Sequence, residues 1–245
     1  MCWTRFLKSA AATAIAANAT ASMAGTIVIR ASGPSAKLYP VGKSIPEGQK
    51  LVLRAGDTLV LLDGRGTRTL TGAGSYDVGA NAAGTTTSGN FAALISNAGG
   101  RQVRTGAVRG TGTTAPRVTN IWYVDTAKSG TICLRDMSRA TLWRAAIEKP
   151  AAMTLTRVSD GKSLPLVFAA GQAVRSWPVN DIPLVAGTEY RITTGAAEKP
   201  VAVQFALVTF ATEDVVAVAA DLISKGCSVQ IEALVEAGRA SSGTG

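Results

Sequence analysis

The sequence contains no histidine among its 245 residues, and only 5% of them are aromatic. Without imidazole there is no Ser-His-Asp triad, no Cys-His dyad and no histidine-ligated metal centre. The few aromatic side chains provide little of the base stacking with which proteins hold single-stranded nucleic acid. Acidic residues are also scarce, 16 against 25 Lys and Arg, so the formal net charge is +9. We therefore expect a basic protein that binds something other than nucleic acid.

Other patterns that resemble reactive sites are better interpreted as turns. Ser159 and Lys162 have the Ser-x-x-Lys spacing of acyl enzymes, but the Asp-Gly pair between them predicts a hairpin turn and not the helical turn which that chemistry needs. Glycines at 64–66 and 72–74 complete neither G-x-G-x-x-G nor a Walker motif. The acids lack EF-hand spacing, and two cysteines cannot hold a structural zinc. We expect no catalytic residue, no metal and no cofactor.

A spatial pair of carboxylates for glycoside hydrolysis is the remaining enzymatic alternative. The acids at predicted strand ends or turns are Asp125, Asp136, Asp160 and Asp181. Acids at such positions are routinely solvated, and we favour that interpretation.

The first 24 residues have the pattern of a secretory signal peptide. Arg5 and Lys8 precede an apolar, alanine-rich stretch, and a small-residue cleavage site ends at Ala24. The apolar stretch is shorter than the roughly 20 residues that a membrane helix needs. We expect an exported mature chain in the periplasm without a stable transmembrane anchor, with secretion as the alternative.

Two cysteines, Cys133 and Cys227, remain after the predicted cleavage removes Cys2. Cysteine pairs in oxidising compartments commonly form disulfides. This bridge would close a loop of about 94 residues and contribute roughly 4–5 kcal/mol in the chain-entropy treatment. We expect the disulfide, and two buried free thiols are the alternative.

Positive charge is concentrated in the first part of the mature chain. Residues 25–117 hold 11 basic and 4 acidic side chains, a net of +7, whereas residues 118–245 hold 12 of each. A basic surface attracts acidic proteins or anionic polymers, for example lipopolysaccharide phosphate. A solvated face that only aids solubility is the alternative. The candidate binding residues are Arg54, Arg65, Arg68, Arg101, Arg104 and Arg109.

Residues 25–79 predict a meander of short antiparallel strands. Runs at 26–29, 50–54, 58–62 and 67–70 are strand-like, with a Gly-Asp turn at 56–57 and an Asp-Gly hairpin pair at 63–64. A glycine turn at 72–74 precedes a last short strand with Tyr76 and Val78. Such strands are too short to be stable alone, so we expect them to form one small β domain.

This turn pattern, together with Val41-Gly42 and Gly48, resembles the periplasmic β-domain of FecR-type proteins over about residues 40–79. The chain as a whole resembles exported envelope proteins of Gram-negative bacteria. The resemblance implies a β-rich, partner-binding module. FecR-type proteins commonly act in envelope signalling behind a transmembrane helix and a cytoplasmic segment. Neither pattern occurs in this sequence, so we do not carry over a sigma-regulator role.

The remainder of the chain divides into three predicted parts and a tail. Gly, Ala and Thr dominate residues 80–117, which we interpret as a linker. Seven strand-like runs predict a β-sandwich over 118–211. Residues 212–240 predict a helical hairpin packed on that sandwich, with Thr212 as the N-cap, and 241–245 a flexible tail. The predicted strands are 120–124, 131–134, 140–144, 153–158, 164–168, 189–193 and 201–210.

Four aromatic residues in this part permit two interpretations. They are Trp122, Tyr123, Trp143 and Trp177. Exposed rings would stack on a sugar, but aromatic residues in sandwich strands usually belong to the core, and we favour the core.

The sequence therefore predicts a mainly β protein made of a FecR-like β-meander domain and a β-sandwich with a C-terminal helical hairpin. We expect a non-catalytic exported adaptor in envelope signalling or assembly, with an envelope protein as partner. The alternative is a binding module for an anionic or saccharide envelope polymer.

Overall fold

The computed structural model describes residues 25–79, 85–87, 94–95, 120–195, 199–210 and 214–240. Within these ranges the chain is mainly β, with several sheets followed by two C-terminal helices, which confirms the predicted fold class. The predicted signal peptide and tail lie outside the described residues.

The first module has two β layers. Its larger sheet has the strand order β2-β1-β4-β5-β7, and β3 pairs with β6 in a second sheet. All these pairs are antiparallel. The layers enclose an aliphatic core that includes Val28, Leu51, Leu61 and Leu70. The strands are β1 (Thr26–Ser32), β2 (Ser44–Ile45), β3 (Lys50–Leu53), β4 (Thr58–Asp63), β5 (Gly66–Thr71), β6 (Gly74–Asp77) and β7 (Thr85–Thr87).

Two of these strands were not predicted. The two-residue β2 is too short for a sequence pattern, and β7 lies inside the predicted linker, where Thr87 pairs with Thr67 of β5. Leu94 and Ile95 are also joined to the fold, because the Trp122 indole N–H donates to the Ile95 carbonyl at 2.8 Å. The segment 80–117 therefore includes residues that belong to the packed structure.

The Gly-Asp turn before β4 has a structural role. The buried Asp57 carboxylate accepts a hydrogen bond from the Ser35 backbone N–H at 2.8 Å and another from that of Arg54 at 2.5 Å. Burial raises the pKa of Asp57, but the hydrogen bonds from Ser35 and Arg54 outweigh burial and hold that pKa below its ordinary value. One side chain thus ties the loop after β1 to the turn before β4.

The second module is the predicted sandwich. A five-stranded sheet of order β12-β11-β14-β15-β9 faces a three-stranded sheet of order β13-β10-β8. Between them, the Trp177 ring meets those of Tyr190 and Phe205 edge-on, at centroid distances of 5.3 and 5.2 Å. The strands are β8 (Tyr123–Asp125), β9 (Gly130–Leu134), β10 (Thr141–Trp143), β11 (Ala151–Arg157), β12 (Ser163–Phe168), β13 (Val174–Ser176), β14 (Glu189–Thr193) and β15 (Val201–Leu207).

The C-terminal helices are α1 (Val215–Ser224) and α2 (Ser228–Ala240). Asp214 is the N-cap of α1, and its carboxylate accepts from the backbone N–H groups of Val216 and Ala217. The predicted N-cap, Thr212, lies outside the described residues. Asp214 takes the role because its carboxylate reaches the first orphan N–H groups of the helix. Gly226, with φ +73°, lies in the turn between the helices, as predicted.

The helical hairpin packs against both modules. Leu222 of α1 and Val235 of α2 share one core with Ile29 and Leu62 of the first module. On the other side α2 contacts β9 of the sandwich. The predicted packing on the sandwich is therefore one of two interfaces, because the outer face of the larger first-module sheet is also apolar. Neither helix in the described ranges is long and apolar enough to span a membrane.

The predicted disulfide joins the hairpin to the sandwich. Cys133 of β9 and Cys227 before α2 are bonded, with their Cα atoms 5.8 Å apart. Both residues are fully buried. The bridge fixes the bend of the hairpin to the edge strand of the sandwich.

Candidate anion-binding site

The candidate arginines do not lie on one face. Arg54 precedes β4, whereas Arg65 lies at the tip of the β4–β5 hairpin. The six residues of β4 separate these two positions by about 20 Å. Arg68, in β5, lines the same groove as Arg65. The remaining candidates, Arg101, Arg104 and Arg109, lie outside the described residues.

The groove at the hairpin has a volume of about 330 Å³. The hairpin residues Asp63 and Arg65 form one part of its wall, and Thr26 and Gly79 form another. Arg68 also lines it, and Glu47 lies at its side, exposed to solvent. The groove therefore brings two guanidinium groups of the first module together.

Arg68 is a buried cation with few partners. It is only 6% exposed, and its Nη1 donates to the Gly79 carbonyl at 3.2 Å. Its Nε is buried without a hydrogen-bond partner. No carboxylate of the described residues forms an ion pair with it. Arginine side chains keep their positive charge in proteins, so burial of this guanidinium carries the full cost of removing a charge from water.

A second buried arginine shows how a structural guanidinium is normally satisfied. Arg144 is 5% exposed and donates to the carbonyls of Gln172, Lys149 and Ala169 at 2.8–2.9 Å. It also lies over the Phe168 ring, 5.3 Å from its centroid. Arg144 thereby ties loops together with no need of an external partner, in contrast to Arg68.

The pleat of β5 explains why Arg68 is buried. Arg68 pairs with Leu61 and lies two residues before Leu70, and both leucines belong to the core between the layers. Side chains two residues apart in a strand point to the same face. Arg68 thus occupies an inward position at the end of that core, where an apolar residue would be expected.

The nearby acid is engaged in the hairpin turn. One oxygen of Asp63 accepts from the backbone N–H groups of Arg65 and Gly66, at 2.8 and 3.1 Å. Its other oxygen lies 3.8 Å from Nη2 of Arg65. Asp63 therefore holds the turn and forms no ion pair with Arg68. Two guanidinium groups in one groove suit an oxyanion, for which arginine is the preferred ligand in proteins.

The turn interpretation of the motif-like patterns is confirmed. Asp160 accepts hydrogen bonds from the Arg157 guanidinium and the Lys162 backbone N–H, and these lower its pKa to about 2. Ser159 and Lys162 are both exposed in this hairpin. Asp63 and Gly66 close the other hairpin as a cross-strand pair. The glycines at 64–66 lie in this predicted hairpin. Those at 72–74 join β5 to β6 of the other sheet, so they form a turn as predicted but not a hairpin.

The tryptophans of the second module are core residues. Trp122, Trp143 and Trp177 are 6%, 6% and 3% exposed, which confirms the interpretation favoured above. Tyr123 is partly buried, and burial raises the pKa of its hydroxyl. Within the described ranges no three potential metal ligands cluster.

No protein-family model matches the chain, and neither a curated protein nor a solved structure matches it. The FecR-type resemblance of residues 40–79 therefore stays a prediction, and functional interpretation depends on the geometry of the groove.

Proposed function

We propose that the chain is an exported, non-catalytic adaptor whose first module binds an acidic segment of an envelope protein in the groove of Arg65 and Arg68. The observation that carries this proposal is the buried guanidinium of Arg68, with which no carboxylate of the described residues forms an ion pair. An isolated buried charge costs a protein several kcal/mol. A residue that lowers stability at a groove is a candidate for binding, because a ligand of opposite charge recovers the cost.

A carboxylate side chain of a partner fits the shape and charge of this groove. Arg68 lies deep and Arg65 lies at the mouth, with side-chain exposure of 57%. A carboxylate that enters the groove meets Arg65 first and Arg68 afterwards. Asp63 is committed to the turn, and Glu47 forms no ion pair with Arg68 among the described residues, so a ligand carboxylate can pair with Arg68.

The rest of the fold supports a role in presenting this groove. The helical hairpin shares a core with the first module, and the disulfide fixes the hairpin to the second. The groove is therefore carried on a large, cross-linked scaffold. A disulfide also suits an oxidising compartment, in keeping with the proposed export.

Cross-linking in the native host followed by affinity purification of the tagged full chain tests the proposal. We expect a defined envelope protein to be recovered with the wild type, and Arg65→Glu to reduce its recovery about tenfold or more. Arg54→Glu is the matched control, because it removes an exposed arginine of the same module at the far end of β4. Equal recovery with both variants would refute a role of the groove.

Purified envelope polymers separate this function from the alternative. If lipopolysaccharide or cell-wall material binds the wild type, and Arg65→Glu weakens that binding while no protein is recovered, the groove serves an anionic polymer and the adaptor proposal is wrong.

A further inference from the structure

The loop between β1 and β2 combines exposed aliphatic side chains with positive charge. Leu38 and Val41 of this loop are 58% and 46% exposed, although both are large and apolar. Val52 of β3, which is 61% exposed, lies beside the loop, because its backbone N–H donates to the Tyr39 hydroxyl at 3.0 Å. Exposed aliphatic residues are normally scattered singly, and a group of them marks an interaction site.

Contacts at both ends hold this loop against the first module. Near its start, the Ser35 backbone N–H donates to the buried Asp57 carboxylate. Near its end, the Gly42 backbone N–H donates to the Val28 carbonyl at 2.8 Å. Between them, Tyr39 is buried and belongs to the core of the module. The loop thus turns its aromatic side chain inward and its two large aliphatic side chains outward.

The loop and the strand before it carry only positive charge. Residues 25–46 contain three basic side chains and no acidic one. One of them, Lys43, is engaged in the loop, because its Nζ donates to the Leu38 carbonyl at 2.7 Å. The other two, Arg30 and Lys37, are exposed, and neither forms an ion pair with a described residue. These two cations are therefore available to an anionic surface.

A groove of about 270 Å³ extends this surface towards the helical hairpin. Val41 and Arg30 both line it, so the aliphatic and the basic feature border one opening. Ile223 of α1 and the exposed Glu232 of α2 line it as well. The loop lies close to α1, since a Cβ added to Gly42 would be 3.0 Å from Cγ2 of Ile223. Three cations of residues 25–46 against Glu232 leave the loop and the groove with a net charge of +2.

An anionic membrane surface accounts for this combination better than a protein partner does. Aliphatic side chains enter the boundary between lipid headgroups and acyl chains, while lysine and arginine remain among the phosphates. Protein interfaces depend instead on buried aromatic residues and arginine, and lysine is depleted from them. An exposed Leu38 directly after an exposed Lys37 follows the membrane pattern.

We infer that this loop docks the protein on an anionic phospholipid surface. Leu38 and Val41 enter the headgroup region, and the two available cations, Arg30 and Lys37, bind the phosphates. The attachment is peripheral and reversible, because a few side chains and charges give only modest membrane affinity. It is independent of the groove at the β4–β5 hairpin, which opens at the start of β1, whereas this loop follows the end of that strand.

Flotation of the mature chain with lipid vesicles tests the inference. At about 0.15 M salt, vesicles of equal parts phosphatidylglycerol and phosphatidylcholine should bind the wild type at least about tenfold more tightly than vesicles of phosphatidylcholine alone. Lys37→Glu should weaken binding to the mixed vesicles by about tenfold, and the joint substitution of Leu38→Ser and Val41→Ser by about the same factor. All three positions are exposed, so circular dichroism should show the wild-type fold in each variant.

The second module offers matched controls. Val185→Ser removes a valine that is 50% exposed, and Lys162→Glu reverses the charge of an exposed lysine. Both variants should bind the mixed vesicles like the wild type, and Arg65→Glu should bind within about twofold of it. Equal binding of the wild type to the two kinds of vesicle, or losses in the controls as large as those in the loop variants, would overturn the inference.

A tryptophan introduced by Leu38→Trp reports whether the loop enters the lipid. Its fluorescence should shift to shorter wavelength on the mixed vesicles and be quenched by brominated acyl chains, whereas Val185→Trp should show neither effect. An unshifted signal from Leu38→Trp, or recovery of a protein through Leu38 without any binding to vesicles, would contradict docking on a membrane. Either result would leave the proposed adaptor function unaffected, because Arg65→Glu tests that function separately.

Discussion

The side chain of Gln230 hydrogen-bonds both the backbone N–H and the backbone carbonyl of Cys133, in the edge strand β9 of the sandwich. Its Nε2 donates to the Cys133 carbonyl at 2.9 Å, and its Oε1 accepts from the Cys133 backbone N–H at 2.7 Å. The carboxamide thus replaces the next strand beside β9, whose other side pairs with β15. Cys133 is also the residue bonded to Cys227, so one strand position carries both links between the sandwich and α2.

Replacement of Gln230 by Leu should destabilise the protein by about 2–4 kcal/mol, because it leaves a buried N–H and a buried carbonyl without partners. Urea unfolding followed by circular dichroism measures the change. Glu232→Leu, an exposed change in the same helix, should alter the unfolding free energy by less than about 0.5 kcal/mol. Similar losses in the two variants would contradict the edge-capping role.

Removal of the disulfide by the double substitution Cys133→Ala and Cys227→Ala should cost roughly 4–5 kcal/mol, since the bond closes a 94-residue loop. A double-mutant cycle with Gln230→Leu should show coupling, because both links restrain the same strand and helix. Purely additive losses would indicate that the two links act independently.

Gly33→Ala should be more harmful than Gly48→Ala. Both glycines have positive φ, +97° and +77°, so both variants strain the backbone. An added Cβ at Gly33 would also lie 2.5 Å from Oδ1 of Asp57, whereas at Gly48 it meets open space. We expect about 1 kcal/mol of destabilisation at Gly48 and roughly 2 kcal/mol more at Gly33. Equal thermal unfolding midpoints would show that the Asp57 turn moves aside freely.

Asp125→Asn should stabilise the protein at neutral pH. Burial raises the pKa of Asp125, and the nearby Glu236 raises it further. The hydrogen bond from the Ala127 N–H and the charge of Lys128 lower this pKa, but burial outweighs them. In the unfolded chain this carboxyl ionises near pH 3.9. The folded state is therefore penalised as pH rises from about 3.9 through the higher folded pKa. The stabilising effect should be present at pH 7.5 and nearly absent at pH 3.5, and unfolding curves at the two pH values test this. A gain of equal size at both would contradict it.

Arg68→Met should raise the unfolding free energy of the ligand-free protein by about 0–3 kcal/mol. The reason is that an apolar side chain replaces a buried cation that has no ion pair among the described residues. Arg144→Met should cost about 3 kcal/mol or more, since three carbonyls lose their donor. Parallel urea titrations distinguish the two. A large loss in Arg68→Met would mean that Arg68 is structural.

Local signals in the sequence account for most of the strands and turns. Asp63-Gly64 and Asp160-Gly161 are close-range turn patterns, and both turns were predicted. The strand β2 and the contacts of Gln230 depend on residues far apart in the chain, which no local pattern encodes. Arg68 lies two residues before the apolar Leu70 in β5, so the sequence pattern is consistent with its burial. How few hydrogen-bond partners its guanidinium has depends on tertiary contacts, which that pattern does not show. The packing of the helical hairpin on the first module likewise depends on tertiary contacts.

The side-chain Nε–Hε NMR signals of the arginines test the central claim most directly. The mature chain is titrated with a hexaglutamate peptide and, separately, with a hexaglutamine peptide at the same ionic strength. We predict that hexaglutamate shifts the signals of Arg65 and Arg68 and leaves that of Arg54 in place, while hexaglutamine shifts none of them. Equal shifts at Arg54 and Arg65 with no change at Arg68 would contradict the claim, because the acidic peptide would then be screening exposed charge and not entering the groove.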